Sequence, residues 1–248
     1  MMLTMQGALR DCIVLTYRTP ARSVEDLVPS GLELVRHGEF AFWNVVLCRV
    51  EKMRPEGMPK FLGVTYYHVA YRLLVKARLA GGKVLPGLFF LRSDASSQLI
   101  ALGGLATDFR FHANAVDLQE RRGEFIARVA AKREAIRPSS GYARLRCRRK
   151  VLFELEPDSC FDTIENARQA LKYTPRGLAV SRDGRRLRVA DVERDESRWM
   201  EWPLAVEQQE FLWLRGQGQT DLKLELATIV EPLDYQWRLG RTERLAVR

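Results

Sequence analysis

The chain has 248 residues, enough for a sizeable core, and its 46% hydrophobic and 29% charged content is that of an ordinary globular protein. No apolar stretch approaches the ~20 residues of a membrane helix, and "MMLTMQGALRDC" has no basic start, long apolar run or cleavage site, so neither a membrane span nor a signal peptide is expected. The net charge of +9 raises nucleic-acid binding, but only eight of the 40 basic residues are lysine and they are dispersed among 31 acidic ones. The densest run, "RLRCRRK" from Arg144 to Lys150, reads first as a solvated strand face and only second as a nucleic-acid contact.

In chain order, "SVEDLVP" predicts a short helix with Ser23 as N-cap and a stop near Pro29. "EFAFWNVVLCRV" alternates as a strand, with Phe40, Phe42, Val46, Cys48 and Val50 on one face. "VTYYHVAYRLLVKARL" carries bulk on both faces. It predicts a central strand whose polar groups face something other than bulk water. "GLFFLRSDASSQLIALGG" begins as a strand and continues as a helix over Ala95 to Leu102 that ends at Gly103 and Gly104. "FRFHANAVDLQERRGEFIARVAAKRE" predicts a hairpin around Arg122 and Gly123. "YARLRCRRKVLFELE" predicts a strand with Leu145, Cys147, Val151, Phe153 and Leu155 in phase and Arg149 on the same apolar face. "DSCFDTIENARQALKYTPRG" is a helix with Asp162 as N-cap, and "GLAVSRDGRRLRVADV" is a hairpin with a tight primed turn at Asp183 and Gly184. Further strands or short helices fill the last third. The sum predicts one α+β domain over residues 1–248, mainly antiparallel β, closed or sandwich-like, with a few short helices.

Cys12, Cys48, Cys147 and Cys160 share no short spacing and read as reduced thiols, which places the chain in the cytoplasm. The three histidines are far apart, so no metal is expected. There is no G-x-S-x-G, phosphate loop or dinucleotide fingerprint, and no cofactor is expected.

The segment "IVLTYRTPARSVEDLVPSGLELV", Ile13 to Val35, resembles the N-terminal region of acetoacetate decarboxylase: Tyr17-Arg18-Thr19, a short helix, then Val28-Pro29 and Leu32-Glu33 fall at matching spacing. The resemblance continues through "FLGVTYYH" and "IALGG" and covers roughly residues 10–115. The remainder looks like the YqjF-like group of uncharacterised proteins in the same superfamily. The resemblance implies an acetoacetate decarboxylase-like closed sheet or barrel. In that superfamily a lysine forms a Schiff base with a keto acid, and acetoacetate decarboxylase is itself a standard example of an amine activated by a neighbouring cation. Matched position by position, the family arginine falls on Arg10 and the family glutamate on His68, after Tyr66-Tyr67. The reactive lysine falls on Phe111, with His112 next, and no lysine lies between Lys83 and Lys132. A phenylalanine forms no imine, so the resemblance implies the fold without the decarboxylase chemistry.

Each candidate residue has two readings. Ser93 or Asp94 caps the following helix, or Arg92 faces a cavity and holds a carboxylate, with Phe90, Arg92 and Asp94 on one strand face. His68 is a hydrogen-bonded core residue or a ligand contact, and an imidazole, titrating near ~6.5, suits a general base. Arg10 is a surface arginine or a ligand contact, Tyr66 lines a core or a cavity, Phe111 is an apolar wall, and His112 points away from it. The reading is a protein binding a small carboxylate or carbonyl compound through Arg10, Tyr66, His68, Phe90, Arg92, Asp94 and Phe111. The alternatives are a lyase or hydratase with His68 as base, and a basic nucleic-acid partner. The late aromatics Trp199, Trp202, Phe211, Trp213, Tyr235 and Trp237 raise a homo-oligomer, most simply a dimer.

Overall fold

Alternation of period two dominates the chain, and the computed structural model, which describes residues 3–105, 107–131, 142–172 and 174–246, turns it into a sheet of fourteen strands. The first half holds β1 (Leu3–Pro20), β2 (Leu32–Leu34), β3 (Arg36–His37), β4 (Phe40–Pro55), β5 (Val64–Arg78) and β6 (Val84–Ala95). Helix α1 (Gln98–Leu105), β7 (Phe111–Arg121), β8 (Glu124–Ala131), β9 (Ala143–Arg149) and α2 (Ile164–Ala170) follow. The last third holds β10 (Arg176–Val180), β11 (Arg186–Arg194), β12 (Glu201–Phe211), α3 (Leu212–Gly216), β13 (Lys223–Val230) and β14 (Leu233–Arg244).

All pairings are antiparallel except those of β6 with β7 and with β10. The hydrogen-bonded path runs β1–β13–β12–β9–β8–β7–β6–β5–β4 and returns to β1 through the β1–β4 pairing. Strand β1 forks. Leu3 to Leu9 pair with β14, whereas Cys12 to Arg18 pair with β13. At the fork Asp11 takes a φ of 47°, and the register against β4 shifts between Arg10 and Ile13.

Strands β4 and β5 separate two apolar cores. Val45, Leu47, Val69, Tyr71 and Leu73 face the first; Val46, Cys48, Ala70 and Leu74 face the second. Burial on both faces explains why these strands read as bulky at every position. Gln219, 2% exposed, ties the turn after β1 to the first core: its side-chain carbonyl accepts from Trp43 Nε1 at 3.1 Å, and its amide donates to the Ser23 carbonyl at 2.9 Å.

Local structure departs from the sequence expectations at several points. "SVEDLVP" forms two 3-10 turns, Ala21–Ser23 and Glu25–Leu27, and Ser23 Oγ donates to the Pro20 carbonyl at 2.7 Å instead of capping a helix. Thr163, not Asp162, caps α2, accepting from Asn166 N. The primed turn lies at Arg122 and Gly123, both with positive φ (53° and 80°). At Asp183–Gly184 only the glycine has positive φ (70°), and Gly184 N donates to the Ser181 carbonyl, a type I turn followed by a left-handed glycine. Strand β9 stops at Arg149, so Val151 and Leu152 are exposed and Arg149 pairs with Glu231 at 3.3 Å. The expected end of the β8 strand, Lys132 to Glu134, lies outside the described residues. The late aromatics mostly enter the cores: Phe211 and Trp213 join the first; Trp199, Tyr235 and Trp237 join the second; Trp202 is 43% exposed.

Helix α1 begins at Gln98 because β6 extends to Ala95, and it runs through Gly103 and Gly104. A Cβ on Gly104 would lie 2.7 Å from Phe111 Cβ, whereas one on Gly103 meets open space. Gly104→Ala is therefore expected to cost ~1–3 kcal/mol through overpacking, and Gly103→Ala to be neutral or stabilising by ~0.4–1 kcal/mol. Urea denaturation of the two variants checks this, and equal effects would contradict the close approach.

Candidate functional site

Strand register builds the site. Across β4 and β5, Cys48 stands opposite His68. The β1–β4 ladder joins Ile13 to Leu47, and Cys12 and Cys48 are the adjoining residues on the two strands, at the register shift between Arg10 and Ile13. One row across three strands thus reads Cys12, Cys48, His68. The Cys12 thiol and the His68 ring lie near enough to Cys48 to act on its titration. A second row, along the same faces, reads Thr16, Asn44, Arg72. Asn44 Nδ2 donates to Thr16 Oγ1 at 3.2 Å, and Arg72 Nη2 donates to Asn44 Oδ1. Arg72 also lies over the Phe90 ring, 5.3 Å from its centre.

Strands β11 and β14 cover the first row and Arg72 with Val192, Leu233, Tyr235 and Trp237, leaving a cavity of about 40 Å³ lined also by Cys12, Cys48, His68 and Phe90. Arg194 closes it, stacked 3.4 Å over the Trp199 ring. His68 is 4% exposed, and its Nε2 is buried with no hydrogen-bond partner among the described residues. No lysine is among the residues lining this cavity. Among the described residues no group of three His, Cys, Asp or Glu could hold a metal, and no helix is long and apolar enough to cross a membrane.

The thiols of the row titrate apart. The hydrogen bond from Cys12 outweighs burial and, with His68 and Arg72 nearby, brings Cys48 from 9.0 to about 6. Its hydrogen bond to Cys48 and burial push Cys12 well up. Burial likewise raises Tyr66.

The sequence candidates divide. His68 and Phe90 line the cavity. The Phe111 ring stacks on His68 with centres 5.3 Å apart, and Tyr66 lies 6.2 Å from His68 on the same side. Arg92 and Asp94 do not share a face with Phe90. The β5–β6 register shifts where Leu91 is inserted between Phe90, paired with Arg72, and Arg92, paired with Tyr71. This bulge turns Arg92 and Asp94 toward the first core. There Arg92 Nη2 meets Asp94 Oδ1 at 2.8 Å, Asn114 Nδ2 donates to Asp94 at 2.5 Å, and Arg92 lies 5.9 Å from the Trp213 ring. Nor do Ser93 and Asp94 cap a helix, since both lie inside β6; Ser97 Oγ accepts from Ile100 N at 3.5 Å. Arg10 stands elsewhere, paired with Glu51 at 3.4 Å beside a separate surface hollow. His112 is exposed. In the basic run, Arg146 pairs with Glu124 and Glu207, Arg148 with Glu207, and Lys150 with Glu154, so carboxylates meet much of its charge. Cys12, Cys48, Asn44 and Arg72 were not foreseen at the site. Cys12 and Cys48 are far apart in sequence, and only strand register joins them.

The fold is that of acetoacetate decarboxylase-like proteins. An acetoacetate decarboxylase-like enzyme from Sphingomonas wittichii RW1 matches with a TM-score of 0.62 and 14% identity over 99% of this chain and 94% of that one. The enduracididine biosynthesis enzyme MppR complexed with pyruvate matches with a TM-score of 0.59 and 9% identity over 99% and 91%. Acetoacetate decarboxylase from Legionella pneumophila subsp. pneumophila str. Philadelphia 1 matches at 0.56 and 10% over 98% and 88%. No curated protein matches. Residues 6–224 match DUF2071, described as "Uncharacterized conserved protein (COG2071)", and the chain belongs to that family.

Two predictions follow from the geometry. Removing one partner of a buried ion pair strands the other, at ~3–5 kcal/mol. Asp94→Ala is expected to cost that much in urea denaturation, and a loss under ~1 kcal/mol would contradict the pair's burial. Because folding lowers the Cys48 pKa, the unfolded chain binds more protons between about 6 and 9.0. Stability from Cys48 therefore rises with pH through that window and is lost as pH falls through about 6. Above 9.0 the raised Cys12 works the opposite way. Cys48→Ser should flatten the rise, and an unchanged pH slope in that variant would refute the assignment.

Proposed function

We propose that this protein binds a short organic acid or carbonyl compound in the cavity beside Arg72 and His68, without forming an imine. The observation that carries this reading is a buried guanidinium and a buried imidazole whose Nε2 has no hydrogen-bond partner among the described residues, both on a cavity whose lining has no lysine. Arg72 would meet a carboxylate and His68 a carbonyl oxygen, while Phe90 and Phe111 exclude water. In the resemblance to acetoacetate decarboxylase Phe111 stands where the reactive lysine would be, and MppR, of the same fold, is described in complex with pyruvate. A water-sized group needs ~10–15 Å³ in such a cavity, so the room favours a ligand of few non-hydrogen atoms. The same Nε2 also favours a second reading, in which His68 acts as the base of a lyase or hydratase.

We take the chain as one domain, its sheet closed as a barrel, beside the YqjF-like group within the superfamily. Four free thiols accord with a reducing, cytoplasmic setting. The exposed Trp202 is a point for self-association as a dimer.

The test is a thermal-shift series with pyruvate, glyoxylate and acetoacetate. At a hundred times its dissociation constant a ligand adds ~2.7 kcal/mol, so a clear upward shift is expected, reduced by Arg72→Met. Borohydride with acetoacetate should leave the mass unchanged; an adduct on any lysine would overturn the imine-free reading. Turnover of any of these compounds that survives His68→Ala would sink the second reading.

A further inference from the structure

We propose that Cys12 and Cys48 form a hydroperoxide-reactive dithiol site, in which Cys48 attacks the peroxide, Cys12 resolves the product as a disulfide and His68 handles the proton. This goes beyond ligand binding and does not rest on it, because it needs no acid in the cavity.

The geometry carries it in three parts. The two cysteines stand on antiparallel neighbours, each next to the Ile13–Leu47 pair, at the register shift between Arg10 and Ile13, and both line one cavity. Neighbouring strands lie ~4.7–4.9 Å apart, inside the ~4.4–6.8 Å between Cα atoms that a disulfide spans. His68 stands opposite Cys48 on the third strand and keeps Nε2 without a partner among the described residues. Both thiols and His68 line one cavity of about 40 Å³. That holds the two oxygens of a hydroperoxide, at ~10–15 Å³ for each water-sized group.

The remaining cysteines lack these features. Cys147 lies in the first core, and burial pushes its thiol up to about 12. Cys160 is also raised to about 12 by burial and by Glu225. The lowered Cys48 and raised Cys12 separate an attacking thiolate from a thiol held in reserve.

The chemistry balances with a hydroperoxide as oxidant. The proton of the Cys48 thiol passes to His68, and the thiolate attacks the terminal peroxide oxygen. An S–O bond forms, the O–O bond breaks, and the departing alkoxide or hydroxide takes the proton from His68 as alcohol or water. Cys48 is then a sulfenic acid. Cys12 then attacks the Cys48 sulfur. The S–S bond forms, the S–O bond breaks, and the leaving hydroxide takes the Cys12 proton as water. Two thiols are oxidised by one hydroperoxide, and an external dithiol restores them.

The test uses the full chain, reduced, desalted and titrated with hydrogen peroxide, then alkylated with iodoacetamide and mapped by mass spectrometry. The expected product links the Cys12 and Cys48 peptides at doses that leave Cys147 and Cys160 alkylated, and dithiothreitol reverses it. Cys12→Ser should stop at a sulfenic acid on Cys48 that dimedone captures; Cys48→Ser should leave Cys12 reduced. The oxidation rate should rise with a midpoint near pH 6, following the Cys48 thiolate. His68→Phe should slow it by about a hundredfold, as for loss of a proton-transfer group. A disulfide through Cys147 or Cys160, equal oxidation of all four cysteines, or no Cys12–Cys48 link would overturn the proposal. The wild-type map decides the matter even if a variant fails to fold.

Discussion

Everything around the cavity depends on a guanidinium buried in a strand that has a core on each side. Arg72 is 3% exposed in β5, and taking such a charge out of water costs several kcal/mol unless it is met. The sheet meets it from within. Asn44 on β4 accepts from Arg72, Thr16 on β1 supports Asn44, and the Phe90 ring on β6 offers its face. These partners come from the strands on either side of β5 and from the strand beyond, so pairing register and charge satisfaction are one constraint. A slip of one residue in β4 would turn Asn44 to the other core and leave the cation without its acceptor.

Much of this was legible in the sequence, because period-two patterning survives wherever a strand has a definite inside. Strands β4 and β5 could be read almost whole, and the two-faced bulk of β5 announced that its polar groups face no bulk water. What could not be read were events that change parity. The residue inserted at Leu91 turns Arg92 and Asp94 to the other face, and nothing in "FFLRSD" marks it. Turn chemistry misled in the same way. Asp183-Gly184 has the composition of a primed turn, but the left-handed pair is Arg122-Gly123, where a bulky cation carries the strain. The contact of Cys12 with Cys48 was hidden for another reason: it is a product of pairing between distant strands, which composition and spacing do not encode.

The cavity gathers groups of one electrostatic preference on a fold shared with acetoacetate decarboxylase-like proteins. Phe111 stacks on His68, and the nucleophiles that line the cavity are the sulfurs of Cys12 and Cys48. Arg72 and His68 both favour a negative charge on Cys48.

The fork in β1 has a further consequence. One strand hands half its length to β14 and half to β13, and the two partners diverge at a single positive-φ residue, Asp11. The wall carrying Leu233, Tyr235 and Trp237 is therefore hinged to the floor carrying Cys12 at that point. The register of β1 against β4 shifts over the same stretch, between Arg10 and Ile13, so the fork and Cys12 share one irregularity. A residue added or deleted there would therefore move the wall and the cysteine together, coupling the width of the chamber to the placement of its thiol.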